Sequence, residues 1–120
     1  MKVLYPLSRR GDFKKVFELG SKFPSKYLVI YARPNGLSFS RLGLSVSKKI
    51  GKAVIRNRLR RLMREALRRQ LAEKPLRYDF VLVARSTSLK AGLADFSGAM
   101  ARVFAGLGDE DDIDSDNQTV

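Results

Sequence analysis

Between Arg41 and Arg69 the chain reads RLGLSVSKKIGKAVIRNRLRRLMREALRR, with Arg or Lys at 41, 48, 49, 52, 56, 58, 60, 61, 64, 68 and 69 against one acid, Glu65. Cationic groups at this density suit anions, and a phosphate backbone above all. Other chemistry has few candidates. The 120 residues include no His and no Cys, which removes the commonest general base and metal ligand, any thiolate nucleophile and any disulfide. No two carboxylates stand close in sequence outside residues 109–116. Asp12 or Glu18 could help position a hydrated metal ion, and each fits equally well as a helix-surface charge. Such a chain is built to bind.

A charged stretch becomes a surface only if something folds it. From about Ala53 to Leu71, advancing ~100° per residue from Ile55 places Leu59, Leu62, Met63 and Ala66 in one apolar stripe. Asn57, Arg60, Arg61, Arg64 and Arg68 form a second stripe on the far side, bordered by Arg56 and Arg58. A merely soluble helix would alternate charge signs, because like charges at i,i+4 repel. The pattern therefore predicts a helix that packs on one face and binds a polyanion on the other. Before it, Leu42, Leu44 and Val46 alternate with Gly43, Ser45 and Ser47, the pattern of a strand. Its small, hydroxylated face either admits a sugar-phosphate backbone or is a plain exposed face. Ser47 to Lys52 joins strand to helix, with Gly51 allowing a tight turn. Its lysines and the helix N-terminus favour anions. The glycine spacing is not that of a P-loop.

The run Gly43-Leu44-Ser45-Val46-Ser47-Lys48-Lys49, then Gly51, Ala53-Val54 and the Arg56-Asn57-Arg58 box with Arg61 and Arg64 behind it, resembles the signature of the bacterial ribonuclease P protein component. The motif is long and ungapped, and with its flanking elements the resemblance covers about residues 4 to 107.

Composition agrees with an RNA-binding domain. All 24 Lys and Arg lie before Gly108 with six acids, leaving residues 1–108 at net +18. Such a balance expects nucleic acid or an anionic membrane surface. The other six acids crowd into 109–116, so residues 109–120 read as an acidic, disordered tail behind one domain of residues 1–108. The tail is a solvating end, or it folds back and competes with RNA for the basic surface. A basic terminus is common in the family, so this end departs from it. No apolar run reaches membrane-spanning length and no signal-peptide core is present, which points to the cytoplasm.

Along the chain, Ser8 is a possible N-cap for a short helix ended by Gly20. Phe13, Val16 and Phe17 share one face of it. Val16 suits the core; the two aromatics, beside Lys14 and Lys15, either join it or serve as stacking platforms for unpaired bases. Ser21–Ser25 suggests a short edge strand and Tyr27–Arg33 a clear one, with Leu28, Ile30 and Ala32 facing one way and Tyr27, Val29 and Tyr31 the other. Pro34-Asn35-Gly36 signals a turn, so this strand and Ser38–Ser47 are expected to form a hairpin. Tyr78–Ala84 is a strand apolar on both faces, so it is central in the sheet or covered by helices. Arg85–Gly92 is a loop, and Leu93, Phe96, Met100, Val103, Phe104 and Leu107 mark a last, core-packing helix. The expected fold is α+β, one domain in the order α-β-β-β-α-β-α, with a mixed four-stranded sheet packed with helices, ribosomal-protein-like.

The resemblance implies the protein subunit of a ribonucleoprotein endonuclease that removes 5′ leaders from precursor tRNA. It implies that the RNA subunit is the catalyst, holding Mg²⁺, and that no side chain of this chain is catalytic. It assigns Lys52, Arg56, Asn57, Arg58, Arg60, Arg61, Arg64 and Arg68 to the catalytic RNA. It assigns Phe13, Phe17 and Tyr31, with Ser45, Ser47, Lys48, Lys49 and Arg85, to a cleft for the single-stranded leader. The partners are then the catalytic RNA and precursor tRNA, with one protein per RNA and no membrane. The competing class is a non-catalytic RNA-binding protein of similar fold; the spacing from Ser47-Lys48-Lys49 to Arg56-Asn57-Arg58 is what argues against it.

Overall fold

A computed structural model describes residues 4–108. Ten apolar-patterned or punctuated stretches resolve into strands β1 (Leu4–Pro6), β2 (Ser21–Pro24), β3 (Leu28–Pro34), β4 (Ser40–Ser45) and β5 (Tyr78–Ala84), helices α1 (Arg10–Leu19), α2 (Ala53–Glu73) and α3 (Leu93–Ala105), and two short 3-10 turns, Lys48–Ile50 and Ser86–Lys90. One mixed sheet runs in the order β1-β4-β5-β3-β2. The α+β class and the single domain are as expected, but the sheet has five strands rather than four. The extra one, β1, is three residues long and ends in Pro6. A proline without an N–H suits an edge, and pairing parallel with β4 is a long-range contact that leaves no periodic trace in so short a run.

The expected β3–β4 hairpin does not form. β5 lies between them, antiparallel to β3 and parallel to β4. The cause lies in β5 itself: Tyr78, Asp79, Phe80, Val81, Leu82 and Ala84 are all buried, which an edge position would prevent. Residues 35–39 therefore span two strand spacings, about 10 Å. Asn35 supports the span, donating from Nδ2 to Phe39 O at 3.0 Å and to Asp79 Oδ1 at 2.9 Å, while Gly36 takes φ 70°.

Helices α2 and α3 cover one face of the sheet. Leu59, Met63, Ala66, Leu67 and Leu71 of α2 meet Phe96, Met100 and Phe104 of α3 over Leu28, Ile30, Phe80 and Leu82. The expected apolar stripe is thus the buried one, with Leu62 and Ile55 at its margin. Helix α1 alone covers the opposite face, where Val16 is fully buried against Leu7 and Val81. Its N-cap is Arg9 without a side-chain bond, not Ser8; Gly20 ends it as expected, donating its N–H to Val16 O. Gly20 also packs where a Cβ would strike the Ala32 carbonyl.

Candidate nucleic-acid interface

On the α1 face, strand pairing sets the floor row by row. Gly43, Val81, Tyr31 and Lys22 lie in one row; Ser45, Val83 and Val29 lie in the next. Helix α1 crosses the first row. The Phe13 ring sits directly on Gly43, so close that a Cβ there would enter the ring. Phe17 meets Tyr31 edge-on, centroids 4.8 Å apart and planes at 86°, and the Phe13 and Phe17 centroids are 6.4 Å apart. Phe13, Phe17 and Tyr31 thus form one aromatic run on one side of the sheet. Phe17 remains 42% exposed although it rests on the Tyr31 ring. Lys22 Nζ lies 5.9 Å from the Tyr31 ring centre.

Past α1 the trough opens over Ser45, which is exposed, and Val29 and Val83, which are half-buried. Strands β4 and β5 both finish here, so the segments that follow them gather at this end: Ser47, Lys48 and Lys49 from one, Arg85 from the other. All four are exposed. Two have structural duties as well. Ser47 Oγ accepts from Lys49 N at 3.2 Å, capping the 3-10 turn, and Arg85 donates to Ser25 O at 3.0 Å. Gly51 is extended rather than left-handed, and Ile55 packs tightly against the place where a Cβ would be.

The other end of the floor is closed by ion pairs. Arg41 binds Asp79 through two bonds of 2.9 and 2.7 Å and reaches Asp12 of α1 at 3.4 Å. Hydrogen bonding to Asp79 raises the Arg41 pKa despite partial burial, with the charges of Asp79 and Asp12 adding to it. This arginine belongs to the basic stretch but works inward, tying α1 to the sheet. Asp12 accordingly faces a guanidinium, and Glu18 lies 3.9 Å from Lys14.

The arginine stripe stands on the other side of the sheet. Asn57, Arg58, Arg61, Arg64 and Arg68 are exposed, as is Lys52 at the head of α2; Arg56 and Arg60 are half-buried. Arg56 donates to Gly51 O at 3.2 Å and Arg60 to Asn57 Oδ1 at 3.0 Å, which fixes both guanidinium groups. Glu65 is shared between Arg68 (2.9 and 2.6 Å) and Arg69 (3.0 Å). Hydrogen bonds from Arg68, then Arg69, hold its carboxyl down to about 2. Arg68 is therefore less free for a phosphate than Arg61 or Arg64. The two surfaces do not adjoin on one face; Ser47–Lys52 links them around the end of the sheet.

A sheet with an aromatic trough under one helix and a guanidinium stripe on another defines a basic α+β RNA-binding domain. The Ribonuclease P family model matches residues 1–108. A ribonuclease P protein component from Clostridioides difficile strain 630 is 49% identical over 90 residues, covering 74% of this chain and 79% of that protein. One from Alkaliphilus oremlandii is 38% identical over 104 residues, covering 87% and 91%. The solved RNase P protein of Thermotoga maritima superposes with TM-score 0.74 at 30% identity, covering 86% of this chain and 97% of that one. The chain belongs to the bacterial ribonuclease P protein family. It is thus of the kind that forms the protein part of the ribonucleoprotein endoribonuclease processing tRNA 5′ ends.

Proposed function

We propose that the two sides of the sheet divide the work of that enzyme. Arg56, Asn57, Arg58, Arg60, Arg61 and Arg64, with Lys52 and to a lesser degree Arg68, neutralise phosphates of the catalytic RNA. The trough of Phe13, Phe17, Tyr31 and Ser45, with Ser47, Lys48, Lys49 and Arg85 at its open end, takes the single-stranded 5′ leader of precursor tRNA. The observation that carries this reading is Phe17: a ring held edge-on to Tyr31 yet 42% exposed is a platform for an unpaired base. Stacking accepts any base, so readout of leader sequence is weak.

The chemistry belongs to the RNA. Mg²⁺, which would be held mainly by that subunit, would supply an activated water and charge stabilisation for the leaving oxygen. The acids of this chain are poor donors for it: Asp12 and Asp79 both bind Arg41, and Glu65 binds two arginines. Among the described residues no three potential ligands gather. Fixed positive charge also screens RNA repulsion and so lowers the divalent demand. One protein serves one RNA, residues 1–108 form the working domain, and the site of action is the cytoplasm; no helix of the described residues is long and apolar enough to cross a membrane.

Reconstitution with the catalytic RNA and a precursor tRNA tests the assignment. Phe17→Ala should weaken precursor binding by about 5- to 100-fold, the worth of one stacked base, and leave mature tRNA binding within about twofold. Equal effects on both substrates would make Phe17 a core residue only.

A further inference from the structure

Arg60 and Arg64 border a hollow of about 320 Å³ between α2 and the β1–β4 edge of the sheet. Its floor is apolar: Leu4 and Pro6 of β1, Leu42 and Leu44 of β4. Pairing of Pro6 with Leu42 puts these side chains on the α2 face, away from the aromatic trough. β1, paired along the flank of β4, closes one side of the hollow. Arg60 is held by Asn57 at 3.0 Å. Arg64 has no hydrogen-bond or ion-pair partner among the described residues, and the one acid nearby in sequence, Glu65, is committed to Arg68 and Arg69.

We propose that this hollow receives one unpaired nucleobase of the RNA subunit, a step that rests on the reading of α2 as the RNA-subunit surface. Phosphates of a duplex need only the guanidinium groups, and an apolar floor beside them would then stay wet and unused. An unstacked base supplies what the floor lacks: a flat apolar face for the leucines and proline, a second face for a guanidinium plane, and a phosphate on the same nucleotide for the neighbouring arginine. Small-molecule pockets run from about 300 Å³ upward, so the hollow is at the scale of a single nucleoside. An apolar peptide would gain the floor but leave the Arg64 guanidinium beside it unmatched, which favours the nucleotide.

Leu44→Trp fills the hollow while leaving Arg60 and Arg64 in place. With the full chain and the RNA subunit, it should weaken binding by about tenfold and change the log–log salt slope by no more than about one unit, since one nucleotide brings one phosphate. Base-specific chemical probing should show one unpaired RNA-subunit nucleotide protected by the wild type and exposed with the variant. Unchanged affinity together with an unchanged protection pattern would overturn the pocket. A second measurement needs no variant: ultraviolet cross-linking of the wild-type complex should join a base of the RNA subunit to residues 4–6 or 42–44. Cross-links there to the precursor leader, or to no base, would also overturn it. If Arg60/Arg64→Ala leaves the salt dependence unmoved, the α2 surface reading itself fails; if that slope falls while the probing shows no protected base, only the pocket does.

Discussion

At the scale of single residues, small atoms decide what large ones can do. Gly43 matters less as a flexible hinge than as the absence of a Cβ beneath Phe13. Gly43→Ala should push the ring off the floor and cost about 1–3 kcal/mol, as overpacking usually does. In a Phe13→Leu background the same change should cost far less, because the obstruction is gone; chemical denaturation of the four proteins measures that coupling. Phe13 and Gly43 stand 30 positions apart in the chain, and nothing in their spacing announces the contact. Val16, by contrast, was expected in the core from its helical face alone, and is fully buried. The exposure of Phe17 could not be inferred the same way: it shares that face, and only the way α1 crosses β3 leaves it half-uncovered.

At the scale of elements, α2 carries two programmes at one period. Its apolar stripe packs on the sheet and its cationic stripe faces out, and both were readable because 3.6-residue periodicity separates them around the axis. Arg60→Ala with Arg64→Ala should reduce the log–log salt slope of RNA-subunit binding by roughly one unit per lost phosphate contact. Arg68→Ala should move it less, since Glu65 already occupies that guanidinium at 2.6 Å. The same pair gives α2 an acid-sensitive support. The Glu65 carboxyl is held below its ordinary 4.5 at about 2 in the folded chain. A depressed folded pKa means the contribution is present above about 4.5 and is lost as pH falls towards 2. Melting temperatures of the wild type should therefore drop more across that window than those of Glu65→Gln, in which the group no longer titrates. Being solvent-exposed, the pair contributes modestly.

At the scale of the whole molecule, charge is divided along the chain: residues 1–108 carry net +18 and residues 109–116 hold six acids. The acidic tail lies outside the described residues, so its relation to the basic surface is a matter for measurement. Removing 109–120 should raise RNA affinity at low salt if the tail competes with RNA, with the gain vanishing as salt screens it; unchanged affinity at low salt would discard competition. The sheet organises the rest. It holds the aromatic trough and the arginine stripe on opposite faces and joins them by Ser47–Lys52; on the proposed reading, a leader strand and a folded RNA are then engaged at once without sharing contacts.

What local pattern could carry, it carried: helix and strand periods, the burial of both faces of β5, the cationic stripe and the family signature, while the aromatic members of the trough came from the resemblance alone. The patterns follow from residue type at short spacing, where backbone geometry dictates which side chains share a face. The fifth strand, the insertion of β5 between β3 and β4, the ring of Phe13 on Gly43, the inward turn of Arg41 and the hollow beside Arg60 did not. Each depends on two segments meeting across many residues. That meeting is settled by competition among all apolar faces for burial, which no short window of sequence contains.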